Sequence, residues 1–129
     1  MATTANTVIT KTRRKNLVQA SAGIIALPVI TGMAFGDGGV DSSGNIIPPT
    51  EEQTELYNEI HRQEVDNYMV SSDTSVRYTC TLPEGILTGK SISEIALYDS
   101  EGDLVCIRTM SAKGKDEGME MTFTLDDEF

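Results

Sequence analysis

The sequence predicts an α+β fold, a mostly antiparallel sheet of about six strands with two helices packed on one face. Three observations predict it. Ile92–Tyr98 and Leu104–Thr109 carry apolar residues on both faces and flank a polar cluster, Asp99–Asp103, that contains Gly102. A short polar loop with one glycine closes a hairpin, and strands apolar on both sides lie inside a covered sheet. Helix-start signals stand at Thr10 and Thr50, and from Val65 onward the apolar period is that of strands.

Met1–Ala5 reads as loose. Thr10 offers its hydroxyl as the cap of a helix running from Lys11 to about Gly23. Leu17, Ala20 and Ile24, and Val18, Ser21 and Ile25, fall at the spacing of a buried stripe. Pro28 stops that helix, and Pro28–Phe35 reads as a strand. A glycine-rich loop, Gly36–Asn45, follows, with Pro48-Pro49 stiffening its exit. Thr50-Glu51-Glu52-Gln53 has the form of a capping box. It predicts a second helix carrying Leu56, Tyr57 and Ile60 on one side and ending near Arg62. Val65–Val70 then alternates as a strand, Ser71–Asp73 turns, and Val76–Leu82 alternates with Arg77, Thr79 and Thr81 outward. Pro83-Glu84-Gly85 ends that strand. After the hairpin come a polar loop, Ser111–Gly118, and a last strand, Met119–Leu125. No repeat or linker interrupts the 129 residues, so the chain reads as one domain, 1–129.

The formal charge is −10 and unevenly spread. Up to Pro49 there are four basic and two acidic residues; from Thr50 onward, six basic and eighteen acidic. A surface this acidic repels nucleic acid and anionic lipid. The exception is the cluster Lys11, Arg13, Arg14 and Lys15 at a helix start, where the helix dipole disfavours cations. Arg13, Arg14 and Lys15 are therefore candidate interface residues facing something acidic, or else a solvated face. Together with Leu17–Phe35 the cluster has the outline of a signal peptide. Gln19, Ser21, Gly23, Pro28, Thr31 and Gly32 make the apolar part too polar for a membrane span. The expectation is no membrane insertion and cytoplasmic synthesis without export.

Chemistry-bearing patterns are few. Gly36-Asp37-Gly38-Gly39 lacks the Lys-Ser/Thr ending of a phosphate-binding loop, and no helix start follows directly. A calcium loop starting at Asp37 needs Gly where Ser42 stands and a carboxylate where Pro48 stands. Tight backbone turning is the reading left for these glycines. Asp99, Glu101 and Asp103 crowd the hairpin tip, either solvated or around a cation. His61 is the single histidine, with neither a second His nor a close Cys pair to build a zinc site. It is also the lone candidate base for any Ser or Cys nucleophile. Cys80 and Cys106 fall within expected strands, as buried thiols or as a cross-strand disulfide. No catalytic, metal-binding or cofactor-binding residue is assigned, and an enzyme is not expected.

Four stretches then match one pattern in order: Val8-Ile9-Thr10, Ile30–Gly39, Gln53–Arg62 and Ile92–Leu104. Over about residues 8–108 the chain resembles the N-terminal domain of phage tail-collar fibre proteins. That domain is similar in having a strand ending in Gly-Asp-Gly, a Thr-x-Leu-x-Asn-Glu-x-x-Arg helix and a Glu-Ile-x-Leu-x-Asp-x-x-Gly-x-Leu hairpin. The resemblance implies a non-enzymatic structural protein of a phage or phage-like contractile tail. Its implied partners are baseplate or tail-tip proteins and other fibre subunits, with a homotrimer as the family expectation. It implies a place in the virion after synthesis in the cytoplasm of the bacterial host.

Gly36, Asp37, Gly38, Glu59, Arg62 and Glu94 sit at matching positions. Glu59 and Arg62, three apart on one helical face, either fix the helix to the Gly36–Gly39 loop or touch a partner; Glu94 is expected to order the fold. Family members usually continue into a shaft and a receptor-binding tip, so a chain ending at Phe129 is expected to be a short fibre or fibre adaptor. The alternative is a small carbohydrate- or surface-binding module using the loops Gly36–Asn45 and Ala112–Glu117. Four Tyr and no Trp give it few platforms for sugar stacking.

Overall fold

A computed structural model describes residues 6–129. In chain order the elements are β1 (Thr7–Ile9), α1 (Lys11–Ser21), β2 (Ile30–Gly36), β3 (Glu59–Glu64) and β4 (Asn67–Ser72). Then follow β5 (Ser75–Leu82), β6 (Ser91–Asp99), β7 (Leu104–Gly114) and β8 (Met121–Glu128). They form a five-stranded sheet, β1-β7-β6-β2-β3, and a three-stranded sheet, β4-β5-β8, with every pairing antiparallel.

The expected hairpin is β6–β7, and it occupies the middle of the larger sheet. Its tip is closed by Asp99, whose Oδ1 accepts from the backbone N–H groups of Glu101 (2.9 Å) and Asp103 (3.1 Å). Gly102 supplies the left-handed residue at φ 85°. Both faces of the hairpin are covered, as its apolar pattern requires. On one side Met33, Phe35, Ile95, Leu97 and Val105 meet Cys80, Leu82, Phe123 and Leu125 of the smaller sheet. Phe35 and Phe123 pack edge to face, 5.3 Å between centroids. On the other side Ala34, Ala96, Leu104 and Ile107 are capped by Leu56. Cys80 and Cys106 are free thiols in the first of these layers.

The α+β expectation of two helices on a six-stranded sheet is overturned. The described residues are mostly β, with one helix and eight strands in two sheets. The second helix is the error. Its capping-box contact is present, since the Thr50 N–H donates to Gln53 Oε1 at 2.8 Å. No helix follows it, because satisfying a first turn does not propagate one. Tertiary partners capture the next backbone groups: the N–H groups of Tyr57 and Asn58 donate to Glu94, and residues 59–64 pair with β2.

The first helix starts where expected, with the Arg13 N–H donating to Thr10 Oγ1 at 3.1 Å. It ends at Ser21, well before Pro28, with Gly23 at φ 75° just beyond. Its expected buried stripe is absent: Arg13 is the buried residue of α1, and Val18 is 70 % exposed. β7 also continues to Gly114 through what reads as loop, and the buried Lys115 donates from Nζ to the Pro83 carbonyl at 2.9 Å.

Candidate functional site

Six of the nine candidate residues converge where β2, β3 and β6 run side by side, and Glu94 is the centre of that group. Its side chain is fully buried. Oε2 accepts from the N–H groups of Gly38 and Asn58, and Oε1 from that of Tyr57, each at 2.8 Å. Three backbone donors and no cation surround it, an arrangement that compensates a buried acceptor with charge-assisted hydrogen bonds. The carboxyl thereby ties the glycine loop after β2 to the segment before β3.

The glycines permit that approach. A Cβ at Gly36 would come within 2.5 Å of Glu94 Oε2, and one at Gly38 within 2.7 Å of the Tyr57 Cβ. Asn58 completes the seam, donating from Nδ2 to Asp37 Oδ1 and accepting the Asp37 N–H at its carbonyl (3.1 Å). One residue on, the Gly39 N–H donates to Ser93 Oγ at 2.9 Å.

Glu59 and Arg62 form the second lock, on a strand and not on the expected helix. Residues three apart on a regular strand face opposite ways. Here Phe35 pairs with His61 and Gly36 with Glu59, so Ile60 is an extra residue in β3. This bulge turns Glu59 and Arg62 onto one side. Arg62 donates from Nε (3.0 Å) and an η nitrogen (2.8 Å) to the two Glu59 oxygens. These hydrogen bonds raise the Arg62 pKa above its ordinary value. The guanidinium also stacks on Tyr98, 4.5 Å from the ring centroid, and donates to the Gly102 carbonyl at 3.1 Å. Tyr98 reaches it by lying over Gly32 of the intervening strand, where a Cβ would collide with the phenol. Arg62 thus fastens β3 to the hairpin tip.

Arg13, Arg14 and Lys15 lie elsewhere, on α1. Acids of the same chain meet much of the basic cluster: Arg14 pairs with Glu51 at 2.7 Å and Lys11 with Glu52 at 3.7 Å. The acids of the expected second helix therefore sit against the start of the first one, where the dipole favours them. Arg13 is buried, donating to the Pro28 carbonyl (3.1 Å) and to Asp127 Oδ2 (3.4 Å). Burial pushes the Asp127 carboxyl above its ordinary pKa, and Arg13 opposes the shift. Among the described residues Lys15 makes no ion pair.

His61 hydrogen-bonds Gln63 Oε1 through Nε2 (2.8 Å) and packs beside Phe35. Asp99 spends one oxygen on the hairpin turn. Among the described residues no three His, Cys, Asp or Glu side chains gather as metal ligands, and no helix is long and apolar enough to cross a membrane. Sequence reasoning missed Ser93, Tyr98 and Asp127. Tyr98 had a signal in the glycine at position 32, which the pairing of β2 with β6 sets opposite it. Asp127 had none, since its partner is 114 residues away.

The family model of the phage tail-collar fibre protein, N-terminal, matches residues 1–124. No curated protein and no solved structure matches the chain.

Proposed function

Because the chain belongs to the phage tail-collar fibre protein N-terminal family, we propose that this structural protein of the tail docks on the baseplate or tail tip and holds a fibre there. The match over residues 1–124 carries the reading. The geometry supports it in one respect: Gly38, Glu59, Arg62 and Glu94 bond within the chain and make a stiff frame. Stiffness is what a part that transmits load between subunits requires, and it leaves the outer surfaces free to bind. The protein works by being held, without turning over a substrate. It is made in the host bacterial cytoplasm and assembles with tail proteins and further fibre subunits, threefold where it joins a fibre.

Cross-linking mass spectrometry on intact particles tests this. The expected result is cross-links from Lys15 and Lys113 to baseplate or tail-tip proteins, and loss of fibres from particles lacking this chain. Particles that lack the protein yet keep their fibres would overturn the proposal.

A further inference from the structure

The segment between β1 and β2 contains Leu17, Val18, Ile24, Ile25, Leu27 and Val29, yet no residue from 11 to 29 belongs to either apolar core. Ile24 is as exposed as Val18. Polar contacts hold the segment instead, and they gather in the first turn of α1. The Lys11 N–H donates to the Glu51 carbonyl at 2.8 Å, beside the exposed pairs Lys11–Glu52 and Arg14–Glu51. Arg13 reaches β8 through its 3.4 Å contact with Asp127, while its bond to the Pro28 carbonyl stays inside the segment. That clasp is incomplete: Arg13 Nε and Asp127 Oδ1 are buried with no hydrogen-bond partner among the described residues. From Lys15 to Leu27, the hydrogen bonds among the described residues close within the segment, as Ala22 to Val18 and Ile24 to Gln19 do, and no ion pair leaves it. A groove of about 380 Å³ is lined by Leu27 and Val29 of this segment and by Tyr68 and Tyr78 of the smaller sheet. The two ends, by contrast, are fixed. Thr10 Oγ1 donates to the Leu104 carbonyl at 2.7 Å, and the Val29 carbonyl accepts from the Ser100 N–H at 2.8 Å.

We infer that residues 11–28 form a releasable arm, which leaves the body and unwinds as one unit while both sheets stay folded. Helices in proteins owe most of their stability to a packed apolar face, and eleven residues are marginal as a helix alone. α1 packs no such face, and its four basic residues stand at the end where the helix dipole disfavours them. Away from Glu51, Glu52 and Asp127, it keeps only the Thr10 cap. Leaving the body removes no residue from either core, so the cost of opening is set by a few polar contacts. Two of these are ion pairs in water, where such pairs contribute little. Elements with few buried apolar contacts open locally, well below the free energy of global unfolding. The anchors at Thr10 and Val29 confine the opening to the residues between them. Release is a property of this chain by itself. That the arm is the part which rearranges when a tail protein engages rests on the docking proposal.

Amide hydrogen exchange on the full chain, resolved by residue with NMR, tests this. The amides of Lys15–Ile24 are expected to exchange about a hundredfold or more faster than those in the middle of β6 and β7, with little response to low denaturant. Raising salt to about 1 M is expected to speed the arm several-fold and leave the hairpin unchanged, because salt screens the exposed pairs. Arg13→Met is expected to speed the arm about tenfold by removing the clasp. Arg14→Gln, on the surface, is expected to speed it about twofold without touching the hairpin, and it serves if Arg13→Met does not fold. Arm amides that exchange at the hairpin's rate and with its denaturant dependence would overturn the inference, since α1 would then open only when the whole chain unfolds. A gradient, fast at Ser21–Ile24 and slow at Lys15–Leu17, would overturn it too, as fraying from one end. So would Arg14→Gln speeding arm and hairpin alike. Exchange is measured without any tail protein, so none of these outcomes bears on whether the chain docks on a baseplate.

Discussion

The two sheets are fastened by different means. In the larger one, polar groups bond across segments far apart in the chain, around a buried Glu94 and a more exposed Arg62. Glu94 holds residues 38, 57 and 58, and Arg62 holds Glu59, Tyr98 and the Gly102 carbonyl. The smaller sheet packs apolar residues inward and leaves an outer face of Arg77, Thr79 and Thr81 with Thr122, Thr124 and Asp126 across from them. Apart from the half-buried Asp127, held by Arg13, the outward polar contacts of this sheet are those of a solvated surface, such as Arg77 with Asp126 at 2.9 Å. The lesson is one of division: polar bonding that fixes geometry sits on one side of the core, and open surface sits on the other. Residues of the family's pattern fall on the first side, so they report the frame more than the place where another subunit sits.

The largest expected effect comes from removing the centre of that frame. Glu94→Ala leaves three backbone donors without their acceptor, and Glu94→Gln turns one acceptor into a donor facing an N–H. Glu94→Ala is expected to cost about 3–5 kcal/mol, from roughly 1–3 kcal/mol for each buried donor left unpaired and some relief from entering water, and Glu94→Gln less, because it keeps one accepting oxygen. Denaturant unfolding measures it. A loss below about 1 kcal/mol would show that the seam does not depend on this carboxyl. Gly39→Ala comes next. Its Cβ would strike the Ser93 carbonyl, a backbone group that cannot swing aside. Overpacking of this kind costs about 1–3 kcal/mol.

A matched pair of arginines sharpens the contrast. Arg62 and Arg77 each donate twice to one carboxylate, Glu59 or Asp126. Arg62 also stacks on an aromatic ring and bonds a hairpin carbonyl, so Arg62→Ala is expected to cost about 1–2 kcal/mol, discounted for its partial exposure. Arg62→Lys is expected to recover little of that, because lysine lacks the planar fork. Arg77→Ala is expected to leave the unfolding midpoint nearly unchanged. Equal losses at the two positions would remove the distinction between locked and open sides.

How much of this was legible in the sequence follows the same division. The β6–β7 hairpin was readable because its information is local: two apolar runs, one polar tip, one glycine. Thr10 as a cap was readable for the same reason. The segment Thr50–Arg62 was not, although Gln53 does reach back to Thr50 as a capping box should. What decided its conformation was a carboxyl some forty residues away at Glu94, together with the free edge of β2. The Glu59–Arg62 spacing suited a helix and, through a one-residue bulge, also suited a strand; spacing alone does not separate the two. The glycines at 36 and 38 announced a close approach without saying which chain segment approaches.

The buried thiols probe the two sheets directly. Burial pushes Cys80 up to about 11 and Cys106 up to about 12. Both are expected to resist a thiol reagent at pH 8 until denaturant is added, when two equivalents react. Cys80, in the less fastened sheet, is expected to react first as denaturant is raised. The sign for stability follows from the same shifts. Above the ordinary thiol pKa of 9.0 the unfolded chain releases protons that the folded chain retains. Stability is therefore expected to fall as pH rises through 9 toward those higher values.

A pH-dependent effect lies at Asp127, where α1, the segment before β2 and the end of β8 meet through Arg13. Burial raises the folded pKa of this carboxyl above its ordinary 3.8, so here the folded chain holds its proton more tightly than the unfolded one. Its contribution is then fully present below that ordinary value and is lost as pH rises through the raised one. That is the reverse of a carboxylate stabilised by its ion pair. One proton sets the ceiling on the slope, at most about 1.4 kcal/mol per pH unit. Asp127→Asn, which stays neutral at every pH, is expected to flatten stability against pH just above 4. Unfolding free energies at a series of pH values decide the matter. An unaltered slope in Asp127→Asn would mean that Arg13 and burial offset one another at this carboxyl.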